Sequence, residues 1–222
     1  MMVITKYMET NATQNTVNRL ISSIKGQRVL LITTSTRWSK SEDVAKSTQL
    51  AIDIADKIGE GATIIDATKL HIYQCEGNVS GASNTCGLKG SVLKDSTKNP
   101  SGNHRCWASI NNSDDELWKI SKELFESDVV IFFVSTRWGS ANAVYQKLIE
   151  RLNWIENRST TLNEGNIVSH IKAGIVVTGH NWNGGNVVEL QKQVLQFYGF
   201  QVPQELSFHW QWTSDVTDES QE

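Results

Sequence analysis

Apolar and polar positions alternate between two rhythms along this chain. From Thr13 to Lys25 the residues Val17, Leu20, Ile21 and Ile24 recur at helical spacing and predict an N-terminal helix. Arg28 to Thr34 contains the continuous run Val29-Leu30-Leu31-Ile32, the signature of a strand buried on both faces. Val44, Thr48, Ala51, Ile52, Ala55 and Ile58 then mark a helix ended by Gly59, and Ala62 to Asp66 reads as a short second strand. Residues 67–112 break the rhythm with a long polar insert rich in Gly, Ser and Asn. Ser113-x-x-Glu116 reads as a capping box opening a helix through Leu117, Ile120, Leu124 and Phe125, which feeds the strand Val129 to Val134. A further helix carries Ala141, Val144, Tyr145, Leu148, Leu152 and Ile155 near one face. Ala173 to Thr178 is a fourth strand, and Val187, Leu190, Val194, Leu195 and Tyr198 a helix before Gly199. Leu206, Phe208, Trp210 and Trp212 alternate with polar residues as in an edge strand.

Strands that alternate with helices imply a parallel sheet, and right-handed crossovers limit it to doubly wound α/β forms such as five strands in the order 2-1-3-4-5. The division expected is an N-terminal helical extension over 1–26, one α/β domain over 27–212 with the insert at 67–112, and a polar tail over 213–222. With 222 residues and 39% hydrophobic content, one domain with a substantial core is the expectation. A formal charge of -3 speaks against nucleic acid as a partner. The absence of a long apolar run or a basic leader speaks against a membrane span or signal peptide, and a cytoplasmic location is expected. Cys75, Cys86 and Cys106 are an odd number, separated by 10 and 19 residues. That spacing matches neither ferredoxin nor zinc-ribbon ligands, so no metal is expected, although His71 or His104 could complete a Cys3His set.

In an open parallel sheet, ligands bind outside the carboxyl ends of the strands. Three loops end there. The first, Thr33 to Ser41, gathers the hydroxyls of Ser35, Thr36, Ser39 and Ser41 with Arg37 and Lys40 ahead of a helix, which is chemistry for one phosphate. The alternative for the same residues is helix capping through Ser39-x-x-Glu42. Neither a Walker loop nor G-x-G-x-x-G is present. The second loop, Ser135-Thr136-Arg137-Trp138-Gly139-Ser140, offers backbone groups near Gly139 and a large aromatic face suited to a flat heteroaromatic ring. The third, Gly179 to Gly185 with His180 and Asn181, repeats that mix.

Over residues 27–200 the pattern resembles the NAD(P)H-dependent FMN reductase family of flavodoxin-like proteins, which includes relatives called iron-sulfur flavoproteins. Thr34-Ser35-Thr36-Arg37 is similar to the family's phosphate-gripping G-S-x-R, with Thr34 in place of glycine. Trp138-Gly139-Ser140 and Glu150-Arg151-Leu152 resemble its S-P-x-Y-W-G-S and D-R-L segments, with Thr136 in place of proline and one position missing beside the tyrosine. Asp114-Asp115 resembles the family's D-D-M, and Gly179 to Gly185 its third flavin loop. The compact cysteine cluster of the iron-sulfur relatives is absent.

The resemblance implies non-covalent FMN on Ser35, Thr36, Arg37, Ser39, Ser41, Ser135, Thr136, Arg137, Trp138, Gly139, Ser140, Gly179, His180 and Asn181. It also implies NADPH or NADH as hydride donor and an unspecified electron acceptor. The cofactor carries such chemistry, so no catalytic side chain is expected. A flavodoxin-like electron carrier, a diverged binding or regulatory protein, and a hydrolase on the same scaffold are the alternatives. The hydrolase is disfavoured by the absence of G-x-S-x-G. A homodimer or higher homo-oligomer is expected as well, on the resemblance, eight tryptophans and the apolar stripe from Val17 to Ile24.

Overall fold

The computed structural model describes residues 11–36, 43–77, 84–179 and 182–211. Its strands are β1 (Val29–Thr33), β2 (Ala62–Asp66), β3 (Val129–Arg137), β4 (Ser140–Ala141), β5 (Lys172–Thr178) and β6 (Phe208–Trp210). The helices are α1 (Asn11–Ile24), α2 (Lys46–Ile58), α3 (Trp107–Asn111), α4 (Leu117–Glu126), α5 (Ala143–Thr160) and α6 (Gly184–Phe197). The sheet runs β2-β1-β3-β5-β6, and every pairing along that path is parallel. With the two-residue β4 set aside, this is the expected 2-1-3-4-5 order.

The continuous apolar runs are explained by burial on both faces. Leu30, Ile32, Val130, Phe132, Ile175 and Val177 point into one core with α4, α5 and α6. Val29, Leu31, Ile131, Phe133 and Val176 alternate into the other, against α1 and α2. Val17, Leu20 and Ile24 of α1 are buried in this second core beside Leu206, so the N-terminal stripe is consumed within the chain. Gly174 lets the chain before β6 approach β5, since a Cβ there would lie 2.1 Å from the Leu206 carbonyl oxygen.

Four local expectations need correction. Ser113 does not cap α4: Glu116 takes the N-cap position with no side-chain cap hydrogen bond, and its carboxylate accepts instead from the His71 amide at 2.8 Å. Helix α2 starts at Lys46, two residues after the expected Val44, with Ala45 at its N-cap position, and the Ser39–Glu42 box lies outside the described residues. The last strand is only Phe208–Trp210, at the sheet edge, and Trp212 lies outside the described residues. The insert contains two 3-10 turns, helix α3 and a bridge from Val92 to Arg105. The insert lies along α5, where Arg105 and Arg158 both bind the Glu164 carboxylate.

Candidate functional site at the carboxyl ends of the strands

The register places Thr33, Ser135 and Thr178 at neighbouring strand ends. Just beyond β1 the Thr34 amide and hydroxyl both donate to the Phe133 carbonyl, at 3.1 and 2.9 Å. The Ser47 hydroxyl donates to Ser35 Oγ at 2.6 Å. Because Ser35 accepts that bond, its own O–H remains able to donate to an anion at this edge. Thr36 is exposed beside it, and Arg37, Ser39 and Ser41 lie outside the described residues. The sequence reading missed Asn142, which ties the first loop to β3. Its amide donates to Thr34 Oγ1 at 3.0 Å and Ser135 Oγ at 3.3 Å, while its Oδ1 caps α5 by accepting from the Tyr145 amide at 3.1 Å. An asparagine directly before a periodic helix was the available signal.

The segment 135–140, expected as an open loop, is a β-hairpin. Strand β3 continues to Arg137, Trp138 and Gly139 turn with φ of 49° and 73°, and Ser140–Ala141 pairs back on Arg137 and Thr136. Two positive φ values match a two-residue type I′ turn, whose twist suits the flanking strands. The reversal lifts Trp138 into solvent at 94% exposure, while Ser135 and Thr136 stay buried. The third loop closes on this hairpin. Asn183 Nδ2 donates to the Gly139 carbonyl at 2.6 Å, and a Cβ on Gly139 would lie 3.1 Å from the Trp182 ring, itself 65% exposed. Gly179 is buried under the hairpin, where a Cβ would lie 2.7 Å from Thr136 Oγ1. His180 and Asn181 lie outside the described residues. The hydroxyls of Thr33, Thr136 and Thr178 at these strand ends are buried without a hydrogen-bond partner. A cleft of about 220 Å³ opens between the hairpin and α6, lined by Gly139, Ser140, Asn183 and Leu190, and a groove of about 540 Å³ lies along Gln74, Cys75, Lys147 and Glu150.

A second cluster joins the two sequence fragments Asp114-Asp115 and Arg151-Leu152. Arg151 donates from Nη1 to Asp115 Oδ1 at 2.8 Å and from Nη2 to Oδ2 at 2.9 Å, with both side chains buried. Nη1 also donates to the Tyr73 carbonyl, and Nη2 to Ser109 Oγ and Cys106 Sγ, while Nε is buried without a hydrogen-bond partner. His104 extends the network, Nε2 to Ser109 Oγ at 2.9 Å and Nδ1 to Ser121 Oγ at 2.7 Å. Burial alone pushes the Asp115 carboxyl up, but hydrogen bonds and charge from Arg151 outweigh it and hold the carboxyl below its usual range. Burial lowers His104 to about 4, so its imidazole is neutral at neutral pH. This network fastens the insert to α5 and is a structural centre, closed to solvent. Cys86 and Cys106 are buried and Cys75 is half-buried, all as free thiols. Burial is the main cause that pushes the Cys86 thiol up to about 12. Among the described residues no three His, Cys, Asp or Glu side chains gather as metal ligands, and no helix is long and apolar enough to cross a membrane.

The arrangement defines a flavodoxin-like α/β protein. No family model matches the chain, and no curated protein matches it in sequence. Solved structures share the fold. RosB with bound 8-demethyl-8-formylriboflavin-5'-phosphate has a TM-score of 0.56 at 16% identity, over 84% of this chain and 66% of that one, so this chain spans just under two thirds of RosB. A putative quinone reductase from Klebsiella pneumoniae gives 0.52 at 14% identity, over 87% and 79% of the two chains. An azoreductase from Bacillus anthracis gives 0.51 at 14% identity, over 82% and 86%.

Proposed function

We propose that the protein is an FMN-dependent oxidoreductase of the NAD(P)H-dependent FMN reductase type. The observation that carries this reading is the convergence, at one sheet edge, of a hydroxyl-lined loop after β1 with a hairpin and a third loop that expose two tryptophans. The residues present fit a phosphorylated planar ring. Ser35 keeps a hydroxyl proton for a phosphate oxygen, and Trp138 and Trp182 offer exposed aromatic faces beside Gly139. Support also comes from RosB, whose structure holds a riboflavin-5'-phosphate derivative, and from the reductases of the same fold.

Bound flavin supplies hydride and electron transfer between a nicotinamide nucleotide and an acceptor. The chain's own residues bind and orient. Ser35, steadied by Ser47, donates to the phosphate, with Thr36, Arg37, Ser39 and Ser41 completing that loop. Asn142 fixes the first loop against β3. Ser135, Thr136, Arg137, Trp138, Gly139 and Ser140, with Gly179 packed against Thr136, would hold the ring, together with His180 and Asn181 of the third loop. Reconstitution with FMN followed by anaerobic mixing with NADPH or NADH tests the proposal. Bleaching of the flavin colour supports it, uptake of FMN without bleaching makes the protein an electron carrier, and failure to take up FMN removes the reading.

A further inference from the structure

The cleft between the hairpin and α6 holds a polar group that the chain itself does not satisfy. Gln191 lines it at 3% exposure, and its Oε1 is buried without a hydrogen-bond partner. An orphaned buried carbonyl is costly until a donor reaches it. The terminal torsion of a glutamine is broad, so a small turn brings this oxygen to the cleft. The rim is held by its own bonds: Asn183 Nδ2 donates to the Gly139 carbonyl and Asn186 Nδ2 to Asn183 Oδ1, both at 2.6 Å. Ala141, Val187 and Leu190 add apolar walls, and among the described residues no acidic or basic side chain lines the cleft. Gln146 borders both this cleft and the groove along α5, and the two volumes together fall in the range of small-molecule sites, about 300–1,000 Å³.

We propose that this cleft is a second ligand site, for an uncharged planar ring with a lactam edge, an N–H and a C=O side by side. Gln191 presents the matching pair, Oε1 for the N–H and Nε2 for the carbonyl, in the two-point manner by which glutamine reads the edge of adenine. The lining selects a neutral ligand, because an ion entering it gives up hydration and meets no counter-charge. Val187 and Leu190 suit the faces of a flat ring, and the Trp182 indole stands at the mouth against Gly139. A ring with no donor leaves Oε1 unpaired, and a site built around a donor rejects the analogue that lacks it. A substituent on the ring runs past Gln146 toward Lys147 and Glu150. The site shares Gly139 and Ser140 with the wall proposed for the flavin and none of the loop after β1. It rests on the cleft and the unpaired carbonyl, independently of the flavin reading.

Isothermal titration of the full chain with isocarbostyril, a bicyclic aromatic lactam, and with its N-methyl analogue tests the site. The lactam should bind one to one, and the N-methyl compound at least about tenfold more weakly, since it has no hydrogen for Oε1. Gln191→Leu should bring the lactam down to the affinity of the N-methyl compound without lowering the urea midpoint, because it removes an unpaired buried carbonyl. Should that variant misfold, Gln191→Met, unbranched like glutamine, makes the same comparison. Equal affinity for the two compounds, binding of neither, or a preference that survives the loss of Gln191 overturns the proposal. Repeating the titration with saturating FMN should give the same lactam affinity. Displacement of the lactam by FMN makes Gln191 a partner of the flavin ring and overturns the second site. FMN uptake with no lactam binding leaves the functional reading standing, and lactam binding with no FMN uptake removes that reading alone.

Discussion

Asp115 and Arg151 together tie the insert to α5. Asp115 receives both Arg151 nitrogens, the Ser109 hydroxyl and the amides of Tyr73 and Leu117. Removing its charge strands a buried guanidinium, so Asp115→Asn should cost about 3 kcal/mol, read as a lowered urea midpoint. A joint Asp115→Leu, Arg151→Met change should recover part of that loss, because no uncompensated charge is left behind. His104 adds a pH dependence of fixed sign. Unfolded, it takes up its proton near 6.5, whereas folded it resists protonation until about 4. Stability therefore falls as pH drops from 6.5 to 4, by about 3 kcal/mol in all. Asp115, whose folded value lies below its ordinary 3.8, contributes stability above that pH and loses it only on further acidification. Urea midpoints against pH should show both stages, and His104→Gln should flatten the first. A slope unchanged by His104→Gln contradicts the assignment.

Among the elements, the β3–β4 hairpin decides whether the site has a wall. Gly139 combines a φ of 73° with Trp182 packed on its open face, so Gly139→Val meets both backbone strain and the indole. The expected effect is a destabilisation of about 1–2 kcal/mol and a blue-to-red shift in tryptophan emission as Trp182 is displaced. Gly185→Ala, where a Cβ meets open space, should change neither. The hairpin also shows where sequence pattern stops being informative. Strands β1, β3 and β5 and helices α5 and α6 were legible because long apolar runs and 3.6-residue periodicity are one-dimensional records of burial. Trp138-Gly139 carries no such periodicity, and its meaning depends on Ser140–Ala141 folding back on Thr136. The Ser113–Glu116 box misled for a related reason. The residue types suit a cap, but Glu116 found the His71 amide, 45 residues away. Asp115 and Arg151 were visible as motif fragments, and only folding showed that they meet in a buried pair rather than at the strand ends.

At the scale of the whole molecule, one sheet separates two cores of different construction. One contains the anchored insert with α4, α5 and α6, and the other is closed by α1 and α2. Since α1 buries Val17, Leu20 and Ile24 there, Leu20→Ala should lower stability by about 2–5 kcal/mol, checked by thermal unfolding, and a chain lacking residues 1–24 should expose enough apolar surface to aggregate. The proposed FMN site lies at the carboxyl edge of the sheet, with the phosphate at the loop after β1. Quenching of tryptophan fluorescence during titration with FMN, with riboflavin in parallel, tests it most directly. Saturable one-to-one FMN binding is expected, at least about tenfold weaker for riboflavin and for Ser35→Ala combined with Arg37→Ala, because each charge-assisted hydrogen bond contributes about 1.5–3 kcal/mol. Equal affinity for FMN and riboflavin, untouched by the Ser35 and Arg37 changes, or no binding of either, would contradict it.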